Sequence, residues 1–174
     1  RAVLVSSGDY SDSLATFDLK DCADSILHIY QYSFGQGHIF DRLIQSKEIV
    51  ANYDREKFSS IFLRYKFELY SINNHACHKG FWMPQHNLFP ISHLIDHGSM
   101  LKRTIIHTVG CHTGMTDTNL WDLSGAFAQS QVGAYIANTA YSIGSGLGIY
   151  YSEYLQTLIA KHIALGECIG EVLR

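Results

Sequence analysis

Apolar positions along this chain follow two rhythms, short runs of aliphatic and β-branched residues alternating with stretches of three- and four-residue spacing. AVLVS at 2–6 predicts a buried strand, and SSGDYSDS after it a loop at the strand's carboxyl end. Residues 19–32 place Leu19, Cys22, Ala23, Ile26, Leu27 and Tyr30 on one face of a helix, with Asp18 as N-cap and Asp21 in the first turn. The apolar cluster at 39–44 fits helix or strand equally. Residues 54–63 predict a helix with Phe58, Ile61 and Phe62 inward, and KFELYSINNHA a strand ending near His75, from the alternation of Phe67, Leu69 and the Ser71/Ile72 pair. Gly80, Pro84, Pro90 and four histidines mark 77–97 as a long loop with one helical turn at 91–95. TIIHTVGCHTGM at 104–115 is a strand that delivers Cys111 into a glycine-flanked turn. A loop through Asn119, a helix at 122–131, a short strand AYIANT, a glycine-rich connection SIGSGLG and a helix at 150–164 complete the pattern. The apolar side expected for that last helix is Tyr151, Tyr154, Leu155, Leu158 and Ile159.

Strands that alternate with helices predict an α/β fold, a three-layer sandwich with a mostly parallel sheet and helices on both faces. At 174 residues, 47% of them hydrophobic, the chain suits a single domain spanning 1–174. It begins at Arg1 and stops within the helical run GECIGEVLR, so it is expected to be a segment of a longer protein with other domains in the same chain. A net charge of -3 without a basic stripe argues against nucleic acid. No apolar run reaches the ~18 residues of a membrane span, and no signal-peptide pattern opens the chain. The four cysteines are widely spread with no CxxC pair, which argues against a disulfide framework.

In a parallel sheet ligands gather at the carboxyl ends of the strands, where His75 and Cys111 both fall. A thiol with a nearby imidazole can act as a nucleophile toward a carbonyl, and backbone N–H groups in the adjoining turns can hold the oxyanion. Ala76, Gly110 and Cys111 are the candidate donors. His78 competes with His75 for the imidazole role. A metal site built from His75, Cys77, His78, Cys111 and His112 is a weaker reading, because the spacing matches no regular zinc pattern. Asp96, Asp117 and Asp122, acidic residues that might read a basic substrate side chain, are better explained as solvated loop residues or helix caps.

The segments NHACH at 74–78, TVGCHTGM at 108–115 and AFAQSQVGAYIANTAYSIGSGLGIYYSEYLQTLI at 126–159, with FDLKDCA at 17–23, together resemble the gingipain-like cysteine peptidases of caspase-like fold. The resemblance implies Cys111 as nucleophile, His75 as catalytic imidazole, and a specificity pocket lined partly by the stretch 137–144, including Ala137, Asn138, Thr139 and Tyr141. The implied activity is a cysteine endopeptidase that cleaves peptide or protein substrates through a Cys–His dyad and a thioester, with no cofactor or metal. Such proteins are secreted or displayed at the cell surface. Ala76 stands where these peptidases usually carry glycine after the histidine. That departure motivates the alternative, a catalytically inactive caspase-like domain acting as a binding or assembly module.

Overall fold

The protein is described by a computed structural model at residues 2–8, 10–12, 15–17, 19–35, 39–43, 53–64, 66–83, 87–116, 121–144 and 148–174. In chain order the elements are β1 (Ala2–Gly8), a small hairpin of β2 (Tyr10–Asp12) and β3 (Ala15–Phe17), α1 (Lys20–Phe34), β4 (Ile39–Leu43), α2 (Arg55–Arg64), β5 (Leu69–Asn74), β6 (Ala76–Cys77), β7 (Gly80–Met83) and β8 (Asn87–Pro90). Then come α3 (Ile91–His97), a 3-10 turn (Gly98–Leu101), β9 (Ile105–Thr108), α4 (Leu123–Gln129), β10 (Ala134–Ile136), α5 (Tyr151–Ala164) and α6 (Ile169–Val172).

The fold is α/β. Its central sheet has five strands, all parallel, in the order β10-β9-β5-β1-β4. The register puts Val3, Leu69 and Ile105 side by side, and Leu4, Tyr70 and Ile106 one step on. Because successive strand residues point to opposite faces, the first row meets α1 and α5 and the second meets α2, α3 and α4. Helices therefore cover both faces. Every residue of β5 is buried, as a central strand covered on both sides requires. The alternation expected there is absent for that reason, and polar Ser71, Asn73 and Asn74 are enclosed by hydrogen bonding instead.

Besides the loop expected at 6–13, where β1 runs on to Gly8 and Tyr10–Asp12 pairs with β3, two expectations need correction. Residues 77–97 are not a long loop: β6, β7 and β8 form a three-stranded antiparallel sheet, and α3 follows directly. Phe81, Met83 and Phe89 hold this sheet down by burial against Phe58, Phe62 and Phe127, while Pro90 sits at the end of its strand, where a missing N–H costs least. Pro84 and His86 lie outside the described residues. The second correction is to α5, whose inward face is Glu153, Gln156, Ile159, Ala160 and Ile163, with Tyr151, Tyr154 and Leu155 exposed. The 39–44 cluster is strand β4 over its described part, and Asp18 lies outside the described residues, leaving Leu19 at the N-cap of α1 with no side-chain cap.

Candidate active site

Strands β5 and β9 are neighbours, with Ile72 opposite Thr108, so the chain leaves both at the same edge of the sheet. His75 follows β5 directly. Val109, Gly110 and Cys111 follow β9, and Cys111 opens the turn at 111–114. The two exits touch: a Cβ on Gly110 would lie 2.6 Å from the Ala76 Cβ and 3.0 Å from the Asn74 carbonyl oxygen. Only glycine lets the cysteine loop approach this closely.

Hydroxyls fix that glycine from both sides. Its N–H donates to Thr108 Oγ1 at 3.0 Å, and its carbonyl accepts from Thr113 Oγ1 at 2.9 Å. Asn138 Nδ2 donates to the Val109 carbonyl at 3.0 Å, and Tyr135 OH to the Thr113 carbonyl at 2.9 Å. Gly110 was among the expected oxyanion donors, but its N–H is already engaged by Thr108. Of the expected donors, the N–H groups of Ala76 and Cys111 remain as candidates.

The histidine side is equally built. Trp82 N–H donates to the His75 carbonyl at 2.7 Å, which makes 75 and 82 a hydrogen-bonded pair of the hairpin. By the alternation of an antiparallel ladder, the N–H of Ala76 then points away from β7, toward the side where Gly110 packs. Ala76 lies in extended backbone; the non-glycine residues with positive φ among those described are Arg103, His112, Gln131 and Tyr151. No left-handed conformation is demanded of it, so alanine fits where glycine was expected. Asn74 anchors the exit, accepting from Ser6 Oγ at 2.8 Å and donating to Tyr53 OH at 2.9 Å and the Trp82 carbonyl at 3.0 Å. Burial pushes the His75 pKa down, which keeps its imidazole neutral and able to take a proton. His78 sits at the tip of the hairpin instead, its carbonyl accepting from Leu123 N–H at the start of α4. His75 lies between Asn74 and Ala76, the two residues of this strand exit that meet Gly110.

Residues 137–144 form a strap running antiparallel beside that loop. His112 N–H donates to the Ala140 carbonyl at 2.9 Å and Gly114 N–H to the Asn138 carbonyl at 2.8 Å. Ala137 packs on Gly114, Thr139 is exposed, and Tyr141, 79% exposed, rests its ring edge-on to His112 at 4.3 Å. Asn138 is turned inward to the loop carbonyls, so its side chain clamps the loop. Sequence reasoning passed over Ser142, whose N–H lies 3.3 Å from Cys111 Sγ and whose carbonyl oxygen lies 3.6 Å from it.

Beneath the site runs a buried polar chain. Gln156 Nε2 donates to the Thr108 carbonyl at 2.9 Å, so its Oε1 faces His107 Nδ1, also at 2.9 Å, as an acceptor. That fixes the proton of His107 on Nδ1, and Tyr30 OH donates to Nε2 at 2.8 Å. Nothing in an apolar-periodicity pattern points to it, although HTVGC carries the histidine in plain sight.

Of the remaining thiols, Cys77 shares the half-buried setting of Cys111, while the other two differ from it. Cys22 is buried and its pKa is pushed far up, first by desolvation and then by Glu153, while Cys168 is exposed and remote in sequence. Asp122 caps α4, accepting from Gly125 N–H at 2.6 Å, and Asp96 is exposed; Asp117 lies outside the described residues. Among the described residues no group of three or more His, Cys, Asp or Glu is placed to hold a metal ion, and no helix is long and apolar enough to cross a membrane. A cavity of about 440 Å³ lies at the opposite pole, against the strand starts at Val3, Leu69 and Ile105, away from Cys111. Compared with models of known protein families and with curated proteins, the sequence matches none.

Proposed function

We propose that the chain is a cysteine endopeptidase domain of gingipain-like, caspase-like type, with Cys111 as nucleophile and His75 as its imidazole. The observation that carries the reading is the contact of Gly110 with Asn74 and Ala76, which joins the loops of thiol and imidazole at the ends of adjacent parallel strands. In the reaction, neutral His75 takes the Cys111 proton and the thiolate adds to the scissile carbonyl. The oxyanion draws on the Ala76 and Cys111 N–H groups. His75 returns its proton to the departing amine, leaving a thioester; water, losing a proton to His75, adds to it and expels the thiol, releasing the acid.

A peptidyl acyloxymethyl ketone is expected to label Cys111 selectively, and mixed fluorogenic peptides to be cleaved by the protein but not by Cys111→Ala or His75→Ala. Equal labelling of all accessible cysteines, or cleavage surviving Cys111→Ala, sinks the reading. The second reading, an inactive domain of the same fold that binds or assembles, is favoured by the Ser142 backbone against the sulfur. It predicts no difference between the protein and Cys111→Ala in any cleavage assay.

A further inference from the structure

We propose that the strap at 137–144 is a latch that closes on the Cys111 thiol in the resting protein and has to lift before the sulfur can attack; this rests on the reading of Cys111 as a nucleophile. An attacking thiolate needs the electrophilic carbon about 3–3.5 Å away with an open line of approach. In the structure one residue of the chain already stands at that range, with the Ser142 N–H at 3.3 Å and its carbonyl oxygen at 3.6 Å from the sulfur. The thiol donates to the carbonyl and accepts from the N–H, so both of its hydrogen-bonding capacities are spent on the strap.

The strap is tied at both ends. On the cysteine side it is zipped to the loop by the bonds from His112 and Gly114 and by Asn138. Beyond Ser142, among the described residues, it is tied to Ser152 at the start of α5, whose Oγ accepts from Ile143 N–H at 3.1 Å and whose N–H donates to the Ile143 carbonyl at 3.0 Å. Gly144 lies flat on the Glu153 carboxylate, with room for no Cβ, since one would sit 2.9 Å from Oε1. At the α5 end Tyr151 is forced to φ 48°, and beside the nucleophile His112 is forced to φ 54°. Left-handed backbone at a bulky residue persists only where its surroundings impose it, and it clusters at switches. Ser142 Oγ and His112 Nδ1 add a second sign: both are buried with no hydrogen-bond partner among the described residues. His112 follows Cys111 directly, and Ser142 lies against its sulfur. Release of the Ser152 end would relax Tyr151 and free the sulfur while leaving the Asn138 end in place.

Two substitutions pull the latch in opposite directions. Ser152→Ala removes the acceptor for Ile143 and loosens it; Tyr151→Gly removes the strain that opposes closure and tightens it. The measurement is the rate of carbamidomethylation by iodoacetamide at Cys111, read site by site by mass spectrometry and divided by the rate at exposed Cys168 in the same sample. At pH 10, above the usual range of thiol ionisation, access sets the rate. The ratio is expected to be about tenfold below one in the native chain, to rise threefold or more in Ser152→Ala and to fall in Tyr151→Gly. A native ratio near one, or the same direction of change in both variants, overturns the latch. Should a variant not fold, hydrogen exchange on the native chain decides: the Ser142 amide is expected to be protected before alkylation of Cys111 and to exchange fast afterwards, and fast exchange beforehand refutes the proposal. Slow alkylation with no peptide cleavage would sink the peptidase reading alone, and cleavage with a ratio near one would sink the latch alone.

Discussion

Lowering the pH from 7 to 5 should cost this fold a sizeable part of its stability through a single side chain, His107. The imidazole is fully buried between α1 and α5, and desolvation lowers its pKa to about 4, against an opposing contribution from the Gln156 hydrogen bond. Both ring nitrogens are engaged, Nε2 by Tyr30 OH at 2.8 Å and Nδ1 by Gln156 Oε1 at 2.9 Å. An added proton would land on Nε2 and turn an acceptor into a donor facing Tyr30. In the unfolded chain the same histidine titrates near 6.5, so between about pH 6.5 and 4 the unfolded state binds the proton and the native state does not. Stability therefore falls as pH drops through this window and levels off below the folded pKa. Full development of the difference is worth about 3 kcal/mol, of which about 2 kcal/mol is already lost at pH 5. Against a total of about 5–15 kcal/mol for a typical domain that is a large share. His75, also lowered by burial, adds in the same direction. Urea unfolding followed by circular dichroism at pH 7, 6 and 5 measures the loss, and His107→Gln, which cannot titrate, is the comparison. The substitution should lower stability at pH 7 but flatten its dependence on pH. An unfolding free energy equal at pH 7 and 5 in the native chain, or an unchanged pH slope in His107→Gln, would refute the argument.

Three further substitutions test the construction around the site. Gly110→Ala forces a Cβ to within 2.6 Å of Ala76, so it should cost about 1–3 kcal/mol in thermal or urea unfolding and abolish selective labelling of Cys111. Tyr30→Phe removes the donor to His107 Nε2 and leaves a buried acceptor unpaired, which should cost about 1–3 kcal/mol at pH 7 by chemical unfolding. Asp122→Ala removes the cap of α4 and should cost about 1 kcal/mol, with Asp122→Asn recovering most of it; no recovery would show that charge, not capping, is at stake.

The strand exits were legible because the residues that end β5 and β9 are of unmistakable type: a β-branched run that stops at a glycine, and a run that stops at two asparagines. Sequence reasoning put His75 and Cys111 at strand ends, and adjacency of β5 and β9 follows from the parallel sheet. The antiparallel sheet at β6 to β8 was missed for a local reason. Strands of two to four residues are too short for a period to register, and Gly80 and Pro90, read as loop markers, in fact terminate paired strands. Ser142 was missed because its contact with sulfur is made by the backbone, which carries no signature of residue type.

The error in α5 has the most consequence, because the polar residues it hid are those that bind the helix to the site. Its carboxyl-terminal half follows the apolar rule, with Ile159, Ala160 and Ile163 inward. Continued one turn toward the amino end, the same stripe falls on Gln156, and another turn on Ser152 and Glu153, while the conspicuous aromatics Tyr151 and Tyr154 fall outside it. A periodicity search that scores hydrophobicity rotates the helix toward those aromatics. Extending the stripe from the unambiguous half would have placed Gln156 under β9 and Ser152 beside the strap. Gln156 holds the Thr108 carbonyl and Ser152 holds Ile143, four residues and about one turn apart on one rigid helix. The spacing between the cysteine strand and its strap is thereby set by the pitch of α5, so a change that unwinds the first turn of that helix would move the strap without moving Cys111.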